Sequence, residues 1–203
     1  GEVLPQNIGT MKWDGKIPFK HTEKLYIKRS DDFDEDRLAP QWQWNYQPRK
    51  DYFSLTERPG WLRLKAYRPL ETNNLLKAGN TLTQRTFRKQ NNDVTIKMDI
   101  SNMQDGQKNG LCHFSSQHSA IGIVKEEDAC YLEYRKNGNI TKGIQIHSEF
   151  VWFRTEWGMD GKSQYYYSLD GDNFLPFGEK YQLTWGNYRG DRIGIYCFND
   201  KKE

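Results

Sequence analysis

Cysteine is scarce in this chain: of 203 residues, only Cys112, Cys130 and Cys197 carry a thiol. Three is an odd number and the spacing fits no zinc pattern, which leaves neither a closed disulfide framework nor a thiolate metal cluster. Cys112 and Cys197 stand among apolar neighbours and are expected as buried free thiols. Long apolar runs are also missing. No stretch approaches the ~20 residues of a membrane span, and GEVLPQNIG at the start has neither the basic end nor the apolar centre of a signal peptide. Charge of one sign is nowhere concentrated. Thirty basic and 27 acidic residues give +3 and are mixed along the chain, so nucleic acid is not an expected partner. Sustained helical spacing is absent, and so is any repeat of fixed period, which disfavours a propeller within these residues. Position 1 is Gly, so the sequence is expected to be a piece of a longer protein.

Aromatic residues are what the chain has in plenty. Seven Trp, 12 Tyr and 10 Phe make up 14% of it, beside a mean hydropathy of −0.97. Many rings in a hydrophilic chain suit a β protein with half-exposed aromatic faces, a composition common among carbohydrate binders. QWQWN (41–45) poses the question directly. On a strand, Trp42 and Trp44 share one face and the amides take the other, so the indoles serve either a core or a platform for a flat ligand.

Residues 1–30 carry Gly and Pro punctuation without a sustained period, and are expected to be an entry segment with one short strand at Lys24–Lys28. Residues 31–203 read as one β domain of short alternating runs cut by turns. WLRLKAY (61–67) should place Leu62, Leu64 and Ala66 on one face. DVTIKMDIS (93–101) should place Val94, Ile96, Met98 and Ile100 inward, with Thr95, Lys97 and Asp99 outward. Further runs start near residues 81, 110, 120, 130, 141, 150, 163, 180 and 192. Asp105-Gly106, Asn137-Gly138, Asp160-Gly161 and Asp170-Gly171 fall where hairpins turn. A dozen strands without crossover helices predict an antiparallel sandwich or barrel.

Chemistry is harder to find. A jelly-roll glycanase needs two carboxylates across the scissile bond, most legibly as alternating acids on one strand. Here Glu133 is followed on its own face by Arg135, and Asp99 is preceded by Lys97. No nucleophile elbow or phosphate loop occurs, and His21, His113, His118 and His147 lack zinc-site spacing. DDFDED (31–36) lacks the spacing and glycine of an EF-hand and reads as a solvated edge. If the first and last strands pair, Asp32 could meet Asp191 at a structural calcium ion. No other cofactor is required. What remains is FVWFRTEW and SQYYYSL, which set Trp152, Arg154 and Tyr166 on faces opposite the expected core, with Tyr165, Tyr167 and Leu169 sharing the other face of SQYYYSL. Rings flanked by Arg, Gln or Glu are a common way to build a sugar site.

Three blocks, QWQWNYQP (41–48), LTERPGWLRLKA (55–66) and NTLTQRTF (80–87), together with YYYSLDGDNFLPFG (165–178) and YRGDRIGIYCFND (188–200), resemble the C-terminal domain of family 43 glycoside hydrolases, the β-xylosidase and α-arabinofuranosidase family. The similarity runs from about Asp31 to Asp200. It implies an all-β fold: an antiparallel two-sheet jelly-roll β-sandwich of the concanavalin A type. It also implies a catalytic five-bladed propeller that precedes the sandwich and is not in this chain, so the chain alone should not hydrolyse glycosides. Residues 1–30 would then be the connector from that propeller. In some members a sandwich loop closes the substrate pocket with an aromatic ring; TWGNYRGDR (184–192), with Trp185 and Tyr188, is the corresponding candidate. Gln84 and Arg85 of the NTLTQR block would line a concave face together with Trp152, Arg154 and Tyr166.

The resemblance thus implies an accessory sandwich of a bacterial xylan- or arabinoxylan-degrading enzyme, with the propeller and a xylo- or arabino-oligosaccharide as partners. A periplasmic or secreted setting would suit that role. Two alternatives stand beside it: a purely structural domain that docks on the propeller, and, more remotely, a jelly-roll glycanase. The family pattern also moves Trp42 and Trp44 toward core or domain boundary, with Asn45 facing a groove.

Overall fold

A computed structural model describes residues 15–16, 30–86, 89–184 and 190–201. The chain divides into two compact units, residues 1–31 and 32–203, and the second holds all of the strands described below. The expected strand at Lys24–Lys28 lies outside the described residues.

Fourteen strands form among the described residues. They are β1 (Gln43–Trp44), β2 (Phe53–Ser54), β3 (Arg63–Leu64), β4 (Thr81–Arg85), β5 (Asn92–Asp99), β6 (Gln107–Phe114) and β7 (His118–Glu126). Then come β8 (Ala129–Lys136), β9 (Asn139–Ile146), β10 (Phe150–Trp157), β11 (Lys162–Ser168), β12 (Leu175–Pro176), β13 (Tyr181–Gln182) and β14 (Arg192–Asn199). One sheet has seven strands in the order β1-β4-β14-β6-β7-β8-β9, the other five, β12-β11-β10-β5 with β13 also on β11. Every pairing is antiparallel. The structure is therefore the expected antiparallel β-sandwich. β2 and β3 pair only with each other. Among the described residues no helix is long and apolar enough to cross a membrane.

Each strand's composition follows from how many of its faces are covered. β10 has one face against the core, so its buried residues alternate as Val151, Phe153, Thr155 and Trp157. β7 is covered on both faces, and His118 through Val124 are all buried. One side of the larger sheet meets the smaller one through Leu111, Ile121, Leu132, Val151, Phe153 and Tyr165. Its other side carries Cys112, Phe114, Ala120, Tyr196 and Phe198 under Leu75 and Ala78 of the loop before β4. Asn45 holds that loop, since its side-chain amide donates to the carbonyls of Leu76 and Ala78 at 2.9 and 3.2 Å. On the same side Glu133 and Arg135 form a buried ion pair, Nε to Oε1 at 2.5 Å, and Arg135 Nη1 also donates to Asn73 Oδ1 at 2.8 Å. All three cysteines are buried free thiols.

Turn chemistry decides where the hairpins close. Asn137 (φ 49°) and Gly138 (φ 91°) are both left-handed between β8 and β9, the two-residue turn that matches strand twist. The β7–β8 hairpin turns without glycine at Glu127 (φ 52°) and Asp128; the backbone N–H of Glu127 donates to Asp105 Oδ1 at 2.8 Å. Two expectations from alternation fail. WLRLKAY yields only Arg63–Leu64 as strand, and Ala66 and Tyr67 are both buried, with Tyr67 set edge-on to Tyr52. Leu169 does not share the inward face of Tyr165, because β11 ends at Ser168 and Leu169 enters the turn, 44% exposed.

A polar cluster joins the sheets at their centre. The Tyr165 hydroxyl accepts the His113 backbone N–H at 2.9 Å and donates to the Ser119 carbonyl at 2.8 Å. His113 Nε2 meets Thr155 Oγ1 at 2.8 Å, and its ring lies edge-on to Trp157. Burial pulls the His113 pKa down from 6.5 to about 3, and burial with the Arg135 charge pulls His118 to about 4. The unfolded chain protonates both near pH 6.5, so between the two values the unfolded state holds the extra protons. Their contribution to stability is complete above pH 6.5 and is lost as the pH falls toward 3. Urea denaturation should show stability dropping between about pH 6.5 and 4, and His113→Gln should flatten that slope by roughly one proton, whatever its cost at neutral pH.

Candidate functional site

The outward side chains of β5, β10 and β11 form rows fixed by register. Glu156 stands between Asp93 and Gln164, Arg154 between Thr95 and Tyr166, and Trp152 between Lys97 and Ser168; Phe150 lies opposite Asp99. Trp152, Arg154 and Tyr166 are half-buried, unlike the buried Phe153 and Tyr165 beside them in the chain. The structure therefore brings these three candidate residues together on the outer face of the five-stranded sheet.

Three rings surround one ammonium there. Lys97 Nζ is 4.5 Å from the centre of the Phe150 ring, 5.0 Å from Trp152 and 5.7 Å from Trp61. Contacts of this kind contribute about 0.5–1 kcal/mol each at exposed positions. Trp61 comes from the loop between β2 and β3, its ring 6.1 Å from that of Phe150, with the Arg58 guanidinium 4.1 Å above it. Arg58 Nη1 pairs with Asp99 Oδ2 at 2.5 Å. Burial opposes ionisation of Asp99, but hydrogen bonds from Ser101 and Arg58 hold its carboxyl below the usual range.

The turn after β11 closes the other side. Gly171 has φ +87°, a backbone that favours glycine, and a Cβ at that position would press on Trp152, 3.1 Å from its Cε2. Asp170 builds the turn by accepting from the Asn173 side chain and from the backbone N–H groups of Asn173 and Asp172, as well as from the Ser168 hydroxyl. Those bonds hold its carboxyl far below the ordinary value. The turn also delivers Phe174, whose ring centre is 3.8 Å from the Arg154 guanidinium, while Arg154 Nε donates to Thr95 Oγ1 at 3.0 Å. Partial burial, with the charge of Glu156, raises the pKa of the Tyr166 hydroxyl.

Gln84 and Arg85 do not join this face. β4 lies in the seven-stranded sheet, where Gln84 stands opposite Ile193 on the side that carries Leu82, and Arg85, exposed, stands opposite Arg192. A single concave face uniting all five residues is not formed, because β4 pairs with β1 and β14 and not with any strand of the smaller sheet. Trp185 and Tyr188 lie outside the described residues. Nor does pairing of a first with a last strand bring Asp32 to Asp191. Asp32 is exposed in a strandless segment, and β14, which follows Asp191, is flanked by β4 and β6. Among the described residues there is no group of three or more His, Cys, Asp or Glu side chains placed to hold a metal ion. Trp42 stacks on Phe33 at 5.7 Å, and Trp44, opposite Leu82, rests on Phe53 at 4.9 Å; both are half-buried.

Trp61, Phe150, Phe174 and Asp93 complete the face and were not among the sequence candidates. The signal for Lys97 was present, since alternation already turned it outward, but its neighbours depend on pairing between β5 and β10. Outward placement has an energetic consequence. Phe153→Ala, at a fully buried position, should cost ~3–5 kcal/mol in urea denaturation, and Trp152→Ala about half as much. Equal losses would make Trp152 a core residue in energetic terms.

Comparison with known proteins adds the context. The family model for the β-xylosidase C-terminal concanavalin A-like domain matches residues 30–203. A β-xylosidase of Formosa agariphila is 34% identical over 196 residues, a stretch that covers 87% of this chain and 33% of that protein. The chain thus spans about a third of the length of this curated relative. A solved bifunctional GH43-CE protein of Bacteroides eggerthii superposes with a TM-score of 0.76 at 29% identity, over 85% of this chain and 24% of that one. A GH43 glycoside hydrolase, engineered to display both endo-xylanase and exo-arabinofuranosidase activity, superposes with the same TM-score of 0.76. It is 23% identical, over 91% of this chain and 40% of its own, and at that level attests the fold alone.

Proposed function

The chain belongs to the family of β-xylosidase C-terminal concanavalin A-like domains, and from that premise we propose that it is the accessory sandwich of a xylan- or arabinoxylan-degrading glycoside hydrolase and contacts saccharide through the outer face of its smaller sheet. The catalytic acids belong, on this proposal, to a propeller elsewhere in the same protein. The observation that carries the saccharide contact is the set of half-buried rings, Trp152, Tyr166 and Trp61, on a sheet face whose other members are Arg154, Glu156, Gln164 and Lys97. Rings give contact area at little entropic cost, and the flanking polar groups orient hydroxyls. Glu156 and the Tyr166 hydroxyl, hydrogen-bonded to each other, keep acceptor sites for sugar hydroxyls.

A second reading has its own support. Leu169 and Leu175, 44% and 55% exposed, lie in the turn just after β11 and on β12 of the same sheet. Apolar side chains left in solvent beside an aromatic face suit docking against another domain. The two readings separate in one experiment. Calorimetric titration of the chain with xylohexaose at millimolar concentration should give saturable heat, lost in Trp152→Ala with the fold intact by circular dichroism. No heat from the wild-type chain would leave docking as the role of this face.

A further inference from the structure

The outer face of the five-stranded sheet holds more cations than its carboxylates engage. Asp99 is committed to Arg58 at 2.5 Å and to the Ser101 hydroxyl at 2.6 Å. Lys97 and Arg154 stand on adjacent strands, one row apart: Lys97 lies across from Trp152, and Arg154 is the next outward residue on the strand of Trp152. Lys97 meets three rings and Arg154 meets Phe174 and the Thr95 hydroxyl, and neither makes an ion pair with a carboxylate among the described residues. Of the remaining acids, Asp93 and Glu156 lie opposite one another in the row beyond Arg154, away from Lys97, and Asp170 is engaged by Ser168, Asn173 and the backbone N–H groups of its own turn. The face is therefore polarised, with an acidic end and a cationic centre set among rings.

A ring stack satisfies a cation's position but not its charge. Cation–π contact supplies about 0.5–1 kcal/mol at an exposed site, whereas a guanidinium or ammonium facing a carboxylate gains charge-assisted hydrogen bonds of roughly twice neutral strength. The rings also hold both side chains in place beforehand, so less entropy is lost when an anion arrives. A neutral sugar would leave this charge unanswered. We infer that the face selects an acidic saccharide, a chain bearing a uronic acid whose carboxylate lies between Lys97 and Arg154 while its pyranose rings run along Trp152 and Tyr166. This rests on the saccharide contact proposed for the same face and narrows it to one class of ligand.

The test compares two probes of four sugar residues each by calorimetry: xylotetraose, and xylotriose bearing one glucuronic acid branch. The acidic probe should bind about tenfold more tightly at low ionic strength, and the advantage should shrink at ~0.5 M salt as screening grows. Lys97→Gln and Arg154→Gln, each removing one charge from an exposed or half-buried side chain, should bring the acidic probe down to the affinity of the neutral one. Equal affinity for both probes on the wild-type chain would overturn this inference and leave the saccharide contact standing. A preference that survives both substitutions would overturn it too, by placing the carboxylate elsewhere. Absence of binding by either probe would remove the saccharide contact itself, and this inference with it.

Discussion

The Tyr165 hydroxyl is the point on which the sandwich depends. It sits in the largely apolar layer between the two sheets, and it takes the backbone N–H of His113 while giving its proton to the carbonyl of Ser119. Those groups belong to neighbouring strands of the larger sheet, so this one atom of the smaller sheet, with the His113–Thr155 contact beside it, opposes a relative slide of the sheets. A buried hydrogen bond nets only about 0.5–1.5 kcal/mol, but an orphaned buried donor costs about 1–3, so the contact specifies alignment more than it adds stability. Its alternating neighbours follow from it. With Tyr165 inward, Tyr166 must point out, and with Phe153 inward, Arg154 and Trp152 must point out.

Alignment also divides the molecule's labour. The larger sheet is covered over its centre: one side packs on the smaller sheet, and the other lies under the loop bearing Leu75 and Ala78, with the Glu133–Arg135 pair sealed beneath, while the edge strand β9 stays largely exposed. The smaller sheet keeps its outer side, and the chain furnishes it with elements from both flanks, Trp61 and Arg58 from the β2–β3 loop and Phe174 from the turn after β11. Half-buried rings held by cations on an otherwise polar surface make a pre-organised patch, because those side chains have already given up much of their rotamer freedom. That property supports the functional reading more than exposure does.

The sequence made the strands legible wherever one face is buried. FVWFRTEW and DVTIKMD alternate because only one side of each meets the core, and the structure keeps that alternation residue by residue. It was equally legible that Glu133 and Arg135 share a face, which argued against a carboxylate pair and is realised as an ion pair. What could not be read was pairing between distant strands. Gln84 and Arg85 were grouped with Trp152 although β4 lies in the other sheet, and Lys97 was turned outward without its three rings. WLRLKAY alternates well, yet β2 is its strand partner for only two residues, and contacts of Trp61 and Tyr67 override the period at both ends. Trp42 and Trp44 each rest on a phenylalanine in the early part of the larger sheet's edge, so that pair belongs to packing and not to the candidate face.

The central claim is that saccharide meets the outer face of the smaller sheet and no other. The most direct measurement follows the indole N–H resonances of a ¹⁵N-labelled chain as xylohexaose is added. Trp152 and Trp61 should move together and saturate, while Trp157, buried beside His113, and Trp44, on the other sheet, stay fixed. Movement of Trp44 with Trp152 unmoved would place the contact on the other sheet and contradict the account.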